Sequence, residues 1–209
     1  VPDRPGSQST ASVTRERILD AAEALFAEKG FAGTTVRDIA GRVGLTPASL
    51  YNHFKGKEAL YAAVLERGIR PLIDVMEELG AREPTPAATD AMIDAVMAHL
   101  RRHPHLPRLI HHEAVAGGAH LARLARDWVV PMLARGLTEM KRTPRSPWTD
   151  EEQPLVIAAW IHLILGHFTM APLFAEVLDE DPLSPSMLEQ QTRFLRKLAR
   201  LIMPTAAVD

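Results

Sequence analysis

The chain has 209 residues, 46 % hydrophobic and 24 % charged, with a net charge of −2 and no cysteine. That length can bury one substantial core, or a core with a module of about 50 residues beside it; the lack of cysteine excludes disulfides, a thiolate zinc site and a cysteine nucleophile, which fits a reducing compartment such as the cytoplasm. Charge is unevenly spread: residues 1–70 carry 10 Lys/Arg against 8 Asp/Glu, and the remainder 14 against 18, so only the front suits a partner bearing phosphates.

Residues 1–12, VPDRPGSQSTAS, are rich in Pro, Ser and Gly and read as a disordered tail with no export signal. From Val13 the run VTRERILDAAEALFAEKGF sets Ile18, Ala22, Leu25 and Phe26 on one helical face, with Arg15, Glu16, Glu23 and Glu28 elsewhere around it. Gly30 stands where a left-handed residue ends such a helix, and Phe31 where the accompanying apolar contact falls. A second, short helix opens at Thr35 with Asp38 three residues on, the spacing of a capping box. It carries Val36, Ile39 and Val43 on one side, offers small Ala40 for close approach, and breaks at Gly44. Thr46 then caps and Pro47 starts a third helix, TPASLYNHF.

Two short helices joined by about four residues with a glycine in the turn describe a helix-turn-helix. Leu50 and Phe54 pack inward, which leaves Thr46, Ala48, Ser49, Tyr51, Asn52 and His53 for a partner. Small side chains admit the helix to the major groove of double-stranded DNA. There the Thr46 and Ala48 methyls meet thymine methyls and Asn52 pairs with an adenine edge. Tyr51, His53, Lys55 and Lys57 suit phosphate oxygens.

The stretch TRERILDAAEALFAEKGFAGTTVRDIAGRVGLTPASLYNHFKGKEALYAAV resembles the N-terminal DNA-binding domain of the TetR family of transcriptional regulators. The likeness rests on Gly30, Phe31, Thr34, Thr35, Val36, Ile39, Ala40, Leu50, Tyr51, His53, Phe54, Lys57, Glu58 and Leu60. It departs at Asn52, where many members carry Tyr, His or Arg, and at the Lys55-Gly56-Lys57 run. The resemblance implies phosphate contacts from Thr35, Tyr51, His53 and Lys57, and base-facing positions for Thr46, Pro47, Ala48, Ser49 and Asn52. It further implies an all-α homodimer joined through its last two long helices, reading an inverted-repeat operator and releasing it when a small molecule binds the body.

The body reads as helical throughout. A long helix follows from Lys57, with Pro71 as a kink and Gly80 as its stop; further helices are expected over 87–102, 107–115 and 119–142, the last interrupted at Pro131. Leu155–Ala175 holds no Lys, Arg, Asp or Glu. A membrane span of that length is disfavoured by His162, Gly166, His167, Pro172 and acidic flanks, leaving a bundle core or a subunit interface. A final helix opens at Ser184 and Pro185, with Met187, Phe194, Leu195, Leu198 and Ile202 set against Arg193, Arg196, Lys197 and Arg200. The expected division is a tail over 1–12, a helix-turn-helix domain over 13–58, and a ligand-binding and dimerisation domain over 59–209.

Eight of the nine histidines follow residue 98, yet only His99 and His103 have the i, i+4 spacing of a helical metal pair, and no His-Glu-x-x-His pattern forms. Neither a metal, a cofactor nor catalysis is therefore expected. Residue type and helix position instead nominate His111, His112, Trp128, Met132, Trp160, His162, His167, Phe168 and Met170 as the lining of an effector cavity between helices. A DNA-binding protein without an effector, and a histidine-rich metal protein or enzyme, are the alternatives.

Overall fold

A computed structural model describes residues 7–82, 85–117, 119–131, 133–134, 137 and 147–202, without the side chains of 7–11, 124 and 128. Its elements are α1 (Ser7–Gly33), α2 (Val36–Arg42), α3 (Pro47–Tyr51), α4 (Lys57–Gly80), α5 (Pro86–Arg102), α6 (Leu106–Ala116), α7 (Ala119–Leu124), α8 (Gln153–Thr169), α9 (Ala171–Val177) and α10 (Pro185–Ile202). α7 runs on into a π turn over Ala125–Val129. The protein is all-α, with no strand among the described residues.

α1 begins six residues earlier than the apolar periodicity suggests. Ser, Thr, Gln and Ala there add to a helix already nucleated downstream, and propagation is far less demanding than nucleation. The tail expected over 1–12 is thus helical from Ser7; residues 1–6 lie outside the described set. At the other end Gly30 takes φ 70°, ψ 175°, and a last turn resumes to Gly33. That kink strands carbonyls, and two side chains satisfy them. The buried Thr34 hydroxyl donates to Leu25 O (3.1 Å) and Gly30 O (2.9 Å), while Lys57 Nζ donates to Phe31 O (2.8 Å) and Thr34 O (3.0 Å).

One cluster of buried side chains runs from Ile18 on α1 through Leu65 on α4 to Leu195 and Ala199 on α10. α4 packs on α1 and α5, and α6 lies against α1 and α8. α4 is continuous through Pro71. The domain boundary expected after residue 58 falls inside this helix, and the packing does not part there. Gly68 marks the tightest approach: a Cβ there would meet Leu106 Cδ1 at 2.5 Å. The start of α6 seats on mid-α4 because no side chain intervenes.

Leu155–Ala175 is two helices, α8 and α9, bent by 63°. Met170 N donates to Gly166 O as the cap of α8, and Pro172 lies in the first turn of α9. No single helix among the described residues is long and apolar enough to cross a membrane. Nor is the stretch buried on every side within one chain: Leu155 is 68 % exposed, and Ile161 and Leu163 also face outward.

Candidate nucleic-acid interface

The helix-turn-helix is assembled by its caps. Asp38 N donates to Thr35 Oγ1 (3.1 Å), and Thr35 N and Oγ1 donate back to Asp38 Oδ2 (3.0 and 2.7 Å). The Thr35 hydroxyl, then the Thr35 amide, hold the Asp38 carboxyl below the usual carboxylate range. Gly44, at φ 71°, turns the chain out of α2, a backbone region in which side-chain-bearing residues are strained. Arg17 Nη2 ties α1 to the end of α2 through Val43 O (3.3 Å). At α3, Ser49 N donates to Thr46 Oγ1 (3.1 Å), and the two hydroxyls lie 3.0 Å apart.

α3 is five residues long, with Asn52 as its C-cap and His53 in the turn beyond; the longer helix expected to Phe54 ends early because Gly56 must open α4. Leu50 and Phe54 are buried, and the Arg15 guanidinium lies 4.5 Å from the Phe54 ring centroid. Thr46, Pro47, Ala48, Tyr51 and Asn52 are exposed, Tyr51 to 54 %, and Ser49 and His53 are half-buried. Thr35 and Lys55 are exposed too. All ten sequence-nominated positions therefore sit on the helix-turn-helix and the start of α4. Lys57 differs from the rest. Its ammonium is half-buried, bonded to two carbonyls and 4.2 Å from the Phe31 ring centroid, which leaves one N–H of three for a phosphate.

Behind this surface, Arg67 on α4 reaches three carboxylates of α1: Glu23 at 2.7 Å, Asp20 at 2.8 Å and Glu16 at 3.1 Å. Glu23, which periodicity places on the outer surface, is 5 % exposed; the guanidinium makes that burial tolerable. His103 Nδ1, at the end of α5, lies 3.5 Å from the same Glu23 oxygen. His99, one turn earlier, stacks near His103 with ring centroids 4.7 Å apart, and its Nε2 donates to Gly68 O (2.8 Å). Burial pushes the His99 pKa down, so its ring is neutral. Close by, Tyr61 packs against Phe26, Phe31 and His120. Burial, and then the facing Glu113 carboxylate of α6, push its phenol up. The head is thus gripped by α4, α5 and α6 together.

Residues 18–64 match the family described as bacterial regulatory proteins, tetR family. Those residues make the head a TetR-family DNA-binding domain. Among curated relatives, it is 39 % identical over 87 residues to the HTH-type transcriptional regulator SrpR of Pseudomonas putida, covering 41 % of this chain and 41 % of SrpR. It is 43 % identical over 61 residues to the HTH-type transcriptional repressor KstR2 of Mycolicibacterium smegmatis, covering 29 % and 30 %. The chain thus spans less than half the length of these two regulators. Likeness in shape reaches further: the putative transcriptional regulator SCO4942 of Streptomyces coelicolor superposes with a TM-score of 0.64 at 26 % identity, covering 91 % of this chain and 98 % of that one.

Within the body, the residues nominated for an effector cavity do not converge. His111, His112 and His162 face solvent, and Met170 is exposed. α6 turns Leu106, Leu109 and Glu113 inward, which puts His111 and His112 on its far side. His162 Nδ1 donates to Ala158 O (2.7 Å) on the outer face of α8. Phe168 is core, and His167, half-buried, donates from Nε2 to Pro182 O (2.9 Å). Met132 and the side chain of Trp128 lie outside the described residues. Of the nominated residues that are described, Trp160 alone keeps an interior polar group, its Nε1, with no partner among the described residues, and Gln153 Oε1 two turns earlier shares that state. No group of three or more His, Asp or Glu among the described residues could hold a metal ion. Periodicity missed Glu23, Arg67, His99 and Glu113. The available signal was Glu16, Asp20 and Glu23 spaced along one side of α1, which asks for a cation on the helix that packs there.

Proposed function

We propose that the protein is a homodimeric transcriptional repressor that binds an inverted-repeat operator and is released by a small molecule. One observation carries the DNA-binding part: α3 stands out of the core on Leu50 alone and exposes Thr46, Pro47, Ala48, Tyr51 and Asn52. Because the Thr46 and Ser49 hydroxyls engage each other and the α3 backbone, the base readout falls to the Asn52 amide, to the Thr46 methyl and to the apolar Pro47–Ala48 surface. An adenine edge and thymine methyls match them. Tyr51, His53, Lys55 and the Thr35 end of α2 supply the phosphate contacts that fix register. The division of labour sets residues 13–58 to reading DNA and 59–209 to dimerisation and effector binding.

The dimer reading is supported by the outer face of α8, where Leu155, Ala159, His162 and Leu163 are exposed, and by Phe194 on α10. An apolar stripe of that extent on two long helices suits a four-helix seam with a second copy. Two recognition helices about 34 to 36 Å apart then enter successive major grooves. For the effector, α8 offers Trp160 Nε1 and Gln153 Oε1, a buried donor and acceptor awaiting partners. Operator and effector binding are reciprocally coupled.

Selection of bound sequences from a random duplex pool tests the reading. Enrichment of an inverted repeat by the native chain, weakened across all sequences in Tyr51→Ala and Lys55→Ala, supports it. Enrichment of no sequence by any preparation refutes it.

A further inference from the structure

Two surfaces of the body carry opposite charge, and no element among the described residues covers either. The first is α9. Leu173, Phe174 and Val177 are 55 %, 43 % and 73 % exposed, and Leu178 just beyond is exposed as well. Three large apolar side chains outward on a seven-residue helix form a patch rather than scatter. Glu176, Asp179 and Glu180 border it, all exposed and without an ion pair among the described residues. The second surface is the outer end of α10. There Arg193, Arg196, Lys197, Arg200 and Leu201 border an open depression of about 350 Å³.

Two of the cations that border the depression are anchored to α5: Arg196 Nε donates to Asp94 at 2.8 Å, and Arg200 pairs with Asp90. The other two are available: among the described residues Arg193 pairs only with exposed Glu189 at 3.3 Å, and Lys197 has no ion pair. Leu201 adds an exposed apolar side chain at the edge of the depression. α9 also continues the outward stripe of α8 past the 63° bend, so it extends the same apolar surface that the dimer seam needs.

We propose that α9 is a clasp. It seats its Leu173, Phe174 and Val177 side in the depression at the end of the other copy's α10, with Glu176, Asp179 and Glu180 against Arg193 and Lys197 of the partner subunit. The inference rests on the dimer reading above and adds a contact outside the α8–α10 seam. An isologous two-fold makes it twice, once on each side. The occupant is a second copy because one chain carries both halves, the acidic-rimmed apolar knob and the cation-rimmed depression, and they complement each other.

Sedimentation equilibrium on the full chain, at low and high salt, tests this. Leu173→Ser combined with Phe174→Ser is expected to raise the dimer dissociation constant at least tenfold. Reversal of Glu176, Asp179 and Glu180 to Lys should raise it about tenfold at low salt, where rim charges count most. Adding Arg193→Glu and Lys197→Glu to that reversal should restore the native constant to within about threefold. All these residues are exposed, so unchanged thermal melts of diluted samples serve as the fold control, and Leu155→Asp in the α8 stripe marks the loss of the seam itself. If the native chain is monomeric at every concentration, the dimer reading fails and the clasp with it. If Leu155→Asp dissociates the dimer while the α9 variants associate like the native chain, the clasp alone is refuted. A weakening by charge reversal that the compensating changes do not restore refutes the pairing of α9 with α10.

Discussion

Replacing Arg67 with Met should destabilise the protein out of proportion to the surface that this side chain exposes. Three carboxylates meet its guanidinium, but they are not equivalent. Asp20 and Glu16 have side chains 71 % and 58 % exposed, and such pairs contribute about 0–1 kcal/mol each. Glu23 has a side chain only 7 % exposed. Met keeps most of the volume and removes the charge, leaving that carboxylate buried without its cation, a loss of about 3–5 kcal/mol. Arg67 is itself 18 % exposed, so water reaches the site and the lower end, about 3 kcal/mol, is expected. Domains of this kind have about 5–15 kcal/mol in all. Urea unfolding followed by far-UV circular dichroism measures the change. A second substitution separates a stranded charge from simple loss of packing: Glu23→Gln placed on Arg67→Met should return about 2 kcal/mol, because a buried amide is far easier to accommodate than a buried ion. A loss below about 1 kcal/mol in Arg67→Met, or no recovery in the double variant, would refute the account of this junction.

Lys57→Met should lower stability by about 1–3 kcal/mol by removing charged bonds to Phe31 O and Thr34 O, whereas Lys55→Ala should leave the urea midpoint unchanged and reduce the salt slope of operator binding by about 1.8 for the dimer, or about 0.9 for each protomer. Gly68→Ala should cost about 1 kcal/mol net in the same assay, since a clash with the fully buried Leu106 outweighs the gain in helix propensity; a stabilised variant would show that α6 can shift away. The buried, neutral His99 ring has its pKa lowered by burial, so its contribution is fully present above the unfolded value of about 6.5 and is lost as pH falls below it. Urea midpoints from pH 8 to 5 should accordingly fall more steeply for the native chain than for His99→Gln.

Local chemistry explains which parts of this molecule could be read in advance. The Thr35–Asp38 box, the Thr46 cap and the inward pair Leu50 and Phe54 depend on residues a few positions apart, and the structure forms each of them. The outward turn of Thr46, Pro47, Ala48, Tyr51 and Asn52 was legible for the same reason: a short helix with few inward residues must turn the rest outward. Glu23 was not legible, because its burial depends on Arg67, 44 residues away. The Lys57 ammonium went to α1 carbonyls for a similar reason, since the kink at Gly30 creates acceptors that sequence alone does not display. The orientation of the residues nominated for an effector was the least accessible. Aromatic and histidine side chains on an amphipathic helix serve core, surface or cavity according to a rotation that only the neighbouring helices fix, and His111, His112 and His162 lie on the outward side of that choice.

The seat of Leu106 on Gly68 turns α4 into a lever with a defined fulcrum. From Gly68 to Lys57 the helix spans about 17 Å at 1.5 Å per residue. A tilt of about 10° about that point would carry the Lys57 end roughly 3 Å, close to the spacing of one base pair along DNA. Since Lys57 is bonded to the carbonyls that close α1, the whole reading head would travel with it. In the proposed dimer, a change in the body too small to unseat any side chain would then suffice to take one recognition helix out of step with the other.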